Sequence, residues 1–242
     1  GALLTWTLQS LGVHPFLALL IGCPLTFVIG FILHRTIYKR LRDISPSQGA
    51  FEGNAMLVSF GIMYVIANIG MYIWSNQQKG YNFMTYAVDF LGTAVPANRL
   101  IVLLCSLVIC VLFYLFLTRT RLGKAIRAAS QDASAAALMG VKITTVAAVS
   151  FGIGALLAGV AGALLSMIYQ VNTTMGMGYT VIAIIVVVLG GMGSIPGSML
   201  GGFILGMIGS AVSYYDPSLS MVAYYVIIMA LLLLKPKGLL GR

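Results

Sequence analysis

Chemistry in this chain must come from few residues. The acids are Asp43, Glu52, Asp89, Asp132 and Asp216, and the histidines are His14 and His34. Every acid falls in an expected loop, and both histidines sit at the ends of apolar runs. Cys23, Cys105 and Cys110 lie inside apolar runs. They read as small buried residues, not as a disulfide set or a metal site. No nucleotide-binding loop, Ser/His/Asp set or metal constellation is present. No catalytic residue, metal or cofactor is therefore expected. Two stretches stand out instead: TRLGKAIRAASQDASAAALMGVK at 120–142, which mixes cations with small apolar residues, and VVVLGGMGSIPGSMLGG at 186–202, with six glycines and a proline.

The elements that position them are set by the solvent. Of the 242 residues, 60% are hydrophobic and 8% are charged, against about 25% charged in ordinary soluble chains. Five acids cannot cover a water-facing surface, so the chain reads as an integral membrane protein. The net charge of +9 does not indicate nucleic acid, because the cations gather at helix-end positions. They form three clusters: Arg35, Lys39, Arg40 and Arg42; then Arg119, Arg121, Lys124, Arg127 and Lys142; then Lys235, Lys237 and Arg242. Short loops rich in Lys and Arg stay in the cytoplasm.

A membrane helix needs about 20 mostly apolar residues. Residues 13–34, 55–74, 100–118, 144–168 and 219–234 meet that need, with 41–54 as a polar loop and 75–97 as a long outer loop. Alternating passage brings all three basic clusters to the inner side. Ser47, Ser134 and Gly238 are then cytoplasmic, and Asn82 and Ser218 external. The uncharged run 180–212 is too long for one span: a single helix of that length would measure about 50 Å against a hydrocarbon core of about 30 Å. It must turn at GGMGSIPG, as two short spans or as a re-entrant hairpin. Pro196 removes a backbone donor, and the glycines permit left-handed angles. The fold expected is an all-α polytopic transmembrane helix bundle of about seven membrane segments, forming a single permease-like domain over 1–242. The helix break is assigned to Gly190, Gly191, Gly193, Ser194, Pro196 and Gly197. Small-xxx-small spacing at Gly197/Gly201 and Gly202/Gly206, and the run GIGALLAGVAG at 152–162, point to close helix packing. A broken helix beside a polar path is the functional reading of the same residues.

The absence of ionisable groups in the spans argues against a proton-driven carrier. Active transport would then draw its energy from another chain, and 120–142 is the expected contact. Leu122, Ile126, Ala129, Ala133 and Ala136 recur at spacings of three and four and share one helical face. Arg121, Lys124 and Arg127 lie off that stripe. Asp132 can cap a second short helix, and Gly140 can end it. A helix pair lying on acidic headgroups would read the same way; docking on a cytoplasmic partner is the sharper expectation.

At these residues a family resemblance enters. RLGKAIRAASQDASAAALMGV resembles the coupling loop of permease subunits of ATP-driven (ABC) importers for branched-chain amino acids. GGMGSIPGSMLGG resembles that family's glycine-rich signature, and LLLLKPKGLLGR its C-terminal ending. The resemblance implies an inner-membrane, multi-pass subunit with a cytoplasmic C-terminus. Its partners would be a second permease chain, two cytoplasmic ATPase subunits and a periplasmic binding protein. The coupling loop would span 119–143, its role carried by Arg121, Gly123, Lys124, Arg127, Gln131, Asp132, Ala136 and Gly140. The family includes urea and short-chain amide permeases, with sugar permeases as more distant relatives. Because the chain opens at Gly1 in apolar sequence, further N-terminal membrane sequence is expected before it. A stand-alone secondary carrier or channel, or a membrane scaffold, is the alternative from another class; an ATPase partner separates them.

Overall fold

A computed structural model describes residues 1–81, 83–84, 86–90, 93–191, 193–216, 219–234 and 238. Asn82, Ser218, Met192, Lys235, Lys237 and Arg242 lie outside the described residues. The chain divides into two compact units, Gly1–Thr174 and Met175–Arg242.

The first unit is built from α1 (Ala2–Ser10), α2 (Pro15–Leu33), α3 (Lys39–Ile44), α4 (Gln48–Trp74), α5 (Ala97–Arg119), α6 (Arg121–Gln131), α7 (Ala133–Leu138) and α8 (Ile143–Ser166). A π-helical turn, His34–Tyr38, joins α2 to α3 without a break. The second unit is α9 (Met175–Gly190), α10 (Ile195–Tyr215) and α11 (Leu219–Leu234). The architecture is an all-α polytopic bundle. Among the described residues, five helices are long and apolar enough to cross a membrane: α2 with its continuation, α4, α5, α8 and α10. Helices α9 and α11 are apolar but have 16 residues each, about 24 Å. Large apolar side chains such as Leu57, Tyr72 and Leu104 face outward along α4 and α5, as a lipid solvent favours.

Helices α2 and α8 make the most intimate contact of the first unit. Gly152 packs on Phe27, Gly159 on Thr26 and Gly30 on Ala155. Small residues let the backbones approach where lipid supplies no hydrophobic drive between helices. Phe83, Val160, Leu164 and Met167 form the apolar centre beside them. In the second unit, Ile185, Leu189 and Leu205 form the centre, with Tyr224 and Ile228 of α11 packed on it.

The segment expected as a long outer loop contains regular structure among its described residues. Residues Ala87–Phe90 (β1) and Thr93–Pro96 (β2) pair as an antiparallel hairpin. Lys79 and Val171 exchange backbone bonds of 2.9 and 2.7 Å, tying the loop to the chain leaving α8. The expected polar loop at 41–54 is mostly helical. Ser47 caps α4 by accepting from Ala50 N at 3.2 Å, so the helix starts well before its apolar part.

Candidate functional site

Three features carry the residues of interest: the helical corner α5–α6–α7–α8, the glycine break between α9 and α10, and a polar cavity where α5 begins and α8 ends.

The corner starts at Thr120. Its hydroxyl donates to Phe116 O at 2.7 Å and accepts from Gly123 N at 3.0 Å, so one side chain ends α5 and caps α6. Gly123 is buried in the bend: a Cβ there would lie about 2.5 Å from Leu117 Cα, and closer still to Phe116 O. Backbone cannot yield as a side-chain tip can. We expect Gly123→Ala to force α5 and α6 apart at a cost of about 1–3 kcal/mol. A lowered thermal midpoint of the detergent-purified protein, with no such loss for Gly154→Ala, where an added Cβ meets open space, checks this.

Asp132 divides the two short helices. Its backbone is extended (φ −150°), ending α6, and its Oδ1 accepts from Ser134 N at 2.8 Å and Ala135 N at 3.0 Å, starting α7. Gly140, at φ +84°, closes α7. Gly140 N donates to Ala137 O and Val141 N to Ala136 O, at 3.0 and 3.1 Å, the double bond of a Schellman ending. Ala136 is buried, while Arg121, Lys124, Arg127, Gln131 and Asp132 are exposed. The corner therefore seats Gly123 and Ala136 inward and presents a cationic outer face. The expected stripe holds for Ile126, Ala129, Ala133 and Ala136, but Leu122 is exposed. Two residues escaped the sequence reading: Leu138 and Met139 are 90% and 86% exposed at the tip of α7. Their signal was available, since two large apolar residues directly precede the closing glycine.

The glycine break is a tight antiparallel turn. Helix α9 ends at Gly190, and Gly191 and Gly193 take φ of +94° and +86°. Ser194 then caps α10 by accepting from Gly197 N at 3.1 Å, with Pro196 in its first turn. Gly190 and Gly197 meet backbone to backbone, leaving no room for a Cβ at either. Gly201 packs on Val186 O and Leu189. The pairing expected of Gly197/Gly201 is thus realised, whereas Gly206 faces open space and Gly202 makes only ordinary contact. Gly190, Gly191 and Gly197 are buried; Gly193 and Pro196 are exposed. Gly238 lies against Gly191 within this unit.

The cavity was not foreseen. It measures about 370 Å³ and is lined by Tyr81, Asn98, Ser166, Met167, Tyr169 and Gln170 among others. Asn98 sits in the first turn of α5 and is 7% exposed. Its Nδ2 donates to Met167 O at 3.1 Å, while its Oδ1 has no partner among the described residues. Ser166 Oγ donates to Ala163 O at 2.7 Å and lies 3.2 Å from the Tyr81 hydroxyl. Burial raises the Tyr81 phenol above its ordinary pKa, the bond to Ser166 opposing it, so the group is a neutral hydroxyl at pH 7.

Comparisons with known proteins identify the family. The family model described as branched-chain amino acid transport system, permease component, matches residues 1–234. The chain is 31% identical over 226 residues to the high-affinity branched-chain amino acid transport system permease protein BraD of Pseudomonas aeruginosa, covering 90% of this chain and 71% of that one. It is 40% identical over 130 residues to the permease protein LivH of Escherichia coli, covering 53% of this chain and 42% of that one. It is 27% identical to a probable branched-chain amino acid transport permease protein of Methanocaldococcus jannaschii, over all of this chain and 79% of the relative. No solved structure matches the chain. With a family model matching residues 1–234 and five helices among the described residues long and apolar enough to cross a membrane, the chain belongs to the permease components of branched-chain amino acid transport systems.

Proposed function

We propose that this chain is a membrane-spanning permease subunit of an ATP-driven importer, moving branched-chain amino acids, or a related small polar solute such as urea or a short amide, across the cytoplasmic membrane of a bacterium or archaeon. Residues 1–242 act as one permease domain with a cytoplasmic C-terminus. Its partners are a second permease chain, two cytoplasmic ATPase subunits and a periplasmic binding protein. ATP hydrolysis belongs to the ATPase subunits.

The observation that carries this reading is the α6–α7 corner. It presents Arg121, Lys124 and Arg127 with bare Leu138 and Met139, while Gly123 and Ala136 anchor it inward. An exposed apolar tip on one short helix beside a second helix with exposed cations suits a groove on a protein better than a bilayer surface, where both apolar and charged faces run along the helix. The corner is continuous with α5 on one side and packs on α8 on the other. A push on α6 by a moving ATPase is thereby delivered to both helices at once. The glycine break supplies the irregular backbone that membrane depth tolerates only beside protein or a water-filled path.

The test is reconstitution with an ATPase pair, a second permease and a leucine-binding protein in proteoliposomes. ATP-dependent uptake of labelled leucine is expected, with Ser134→Cys modified by an impermeant thiol reagent from the ATPase side only. Uptake without ATPase subunits favours the stand-alone carrier, and labelling of Ser134→Cys from the opposite side overturns the orientation.

A further inference from the structure

We infer that the cavity between the first turn of α5 and the end of α8 is a substrate-receiving site, whose buried acceptors hold the ammonium group of a small apolar amino acid. This rests on the importer reading above and adds to it the place and the chemistry of recognition.

The argument is one of donors and acceptors. Met167 O is an acceptor, so the Asn98 amide must turn Nδ2 toward it, which fixes Oδ1 as the group left over. That oxygen is buried without a partner among the described residues, and a buried acceptor left unpaired costs about 1–3 kcal/mol. Ser166 spends its one proton on Ala163 O at 2.7 Å. The Tyr81 hydroxyl, 3.2 Å from Ser166 Oγ, must then donate to it, leaving the Tyr81 oxygen with accepting lone pairs. Asn98 Oδ1 and the Tyr81 oxygen thus both seek donors. The C-terminal end of α8 adds negative potential at the same place. A ligand bearing three N–H groups and a positive charge satisfies this set; a carboxylate alone does not. The volume, about 370 Å³, lies in the usual small-ligand range of ~300–1,000 Å³. Met167 and Ile168 supply apolar lining for an alkyl side chain.

Position supports the assignment. The corner α6–α7 joins the far ends of α5 and α8, and the cavity lies at their opposite ends, about 35 Å away along 23-residue α5. The Asn98–Met167 bond ties these two helices at the cavity. Any displacement of α5 against α8 by a docked ATPase therefore bears on the bond that shapes the site.

The experiment uses the full chain in membranes with its ATPase partners. Cys23, Cys105 and Cys110 are replaced by alanine, and Tyr169→Cys places an exposed thiol at the cavity rim. Millimolar leucine is expected to slow its modification by a methanethiosulfonate reagent at least threefold. The analogue with a hydroxyl in place of the ammonium should not protect. Asn98→Leu should abolish protection, and Tyr81→Phe, which leaves the Asn98–Met167 tie intact, should raise the leucine concentration needed several-fold. Absence of protection with Asn98 in place, full protection in Asn98→Leu, or equal protection by the hydroxy acid each overturns the proposal. ATPase co-purification from the same membranes reports separately on the importer reading: its loss sinks that reading whatever the labelling shows.

Discussion

Arg127→Glu is expected to strip the ATPase from the purified complex. Arg127 is exposed on the outer face of α6, one turn from Lys124, with Leu138 and Met139 bare at the tip of α7. In a docked complex that face is desolvated, and the cation meets an acidic or polar partner. Truncating one member of a buried charged pair costs about 2–5 kcal/mol, roughly 30- to 4,000-fold in Kd. Reversal adds like-charge repulsion. Asp132→Ala should act more mildly, since it removes the cap on Ser134 N and Ala135 N, worth about 1 kcal/mol. Co-purification and substrate-stimulated ATP hydrolysis at two salt concentrations measure both. A lipid-bound corner would behave otherwise, with small effects that track anionic lipid and salt while the ATPase stays attached. Unchanged co-purification in Arg127→Glu would leave the docking reading without support.

The second large effect is expected at Gly197. A methyl group there falls on the Gly190 carbonyl, and Gly190 C and Ser194 Oγ lie 2.9 Å from it. No side-chain rotation relieves a clash with backbone, so α9 and α10 must separate. Overpacking of this kind costs about 1–3 kcal/mol for one methyl, and leucine costs more. Gly191→Leu and Gly193→Leu act differently. Their φ values of +94° and +86° put a side chain in the left-handed region, at about 1–2 kcal/mol each. All three leucine variants should insert in the membrane and fail in transport. Gly206→Ala, which meets open space, is the control and should transport normally. Thermal aggregation of the solubilised protein and leucine uptake in cells read the two consequences separately. Normal uptake in Gly197→Leu would show that the close approach is dispensable.

The spans were legible because lipid imposes a crude requirement, length and apolarity, that hydropathy meets directly. Residues 219–234 match α11, and the 180–212 run breaks where its glycines and proline lie. Capping was equally local: Asp132 and Gly140 stand where their residue types predicted. Helix ends outside the apolar stretches were harder. Gln48 begins α4 because Ser47 caps it, although no hydrophobic pattern marks the place. The β-hairpin, the Lys79–Val171 clasp and the cavity depend on partners far apart in sequence. Asn98 bonds to Met167, 69 positions on, and nothing in VPANRL announces it. Leu122 shows the opposite failure: spacing put it on the inner stripe, but the bend at Gly123 turns that end of the face outward.

The glycine ladder between α2 and α8 has a mechanical corollary. Backbones held together at Gly30, Gly152 and Gly159 have almost no slack between them, so the two helices form a stiff beam. Close-packed interfaces switch between discrete arrangements and do not stretch. Within the first unit, α5 touches α8 far more sparingly, and α4 packs mainly through α3. Compliance is therefore concentrated in α4 and α5, and a stroke in this unit is expected to shift those helices against an α2–α8 pair that moves as one. Cross-linking α2 to α8 would leave such a stroke free, while cross-linking α5 to α8 would jam it.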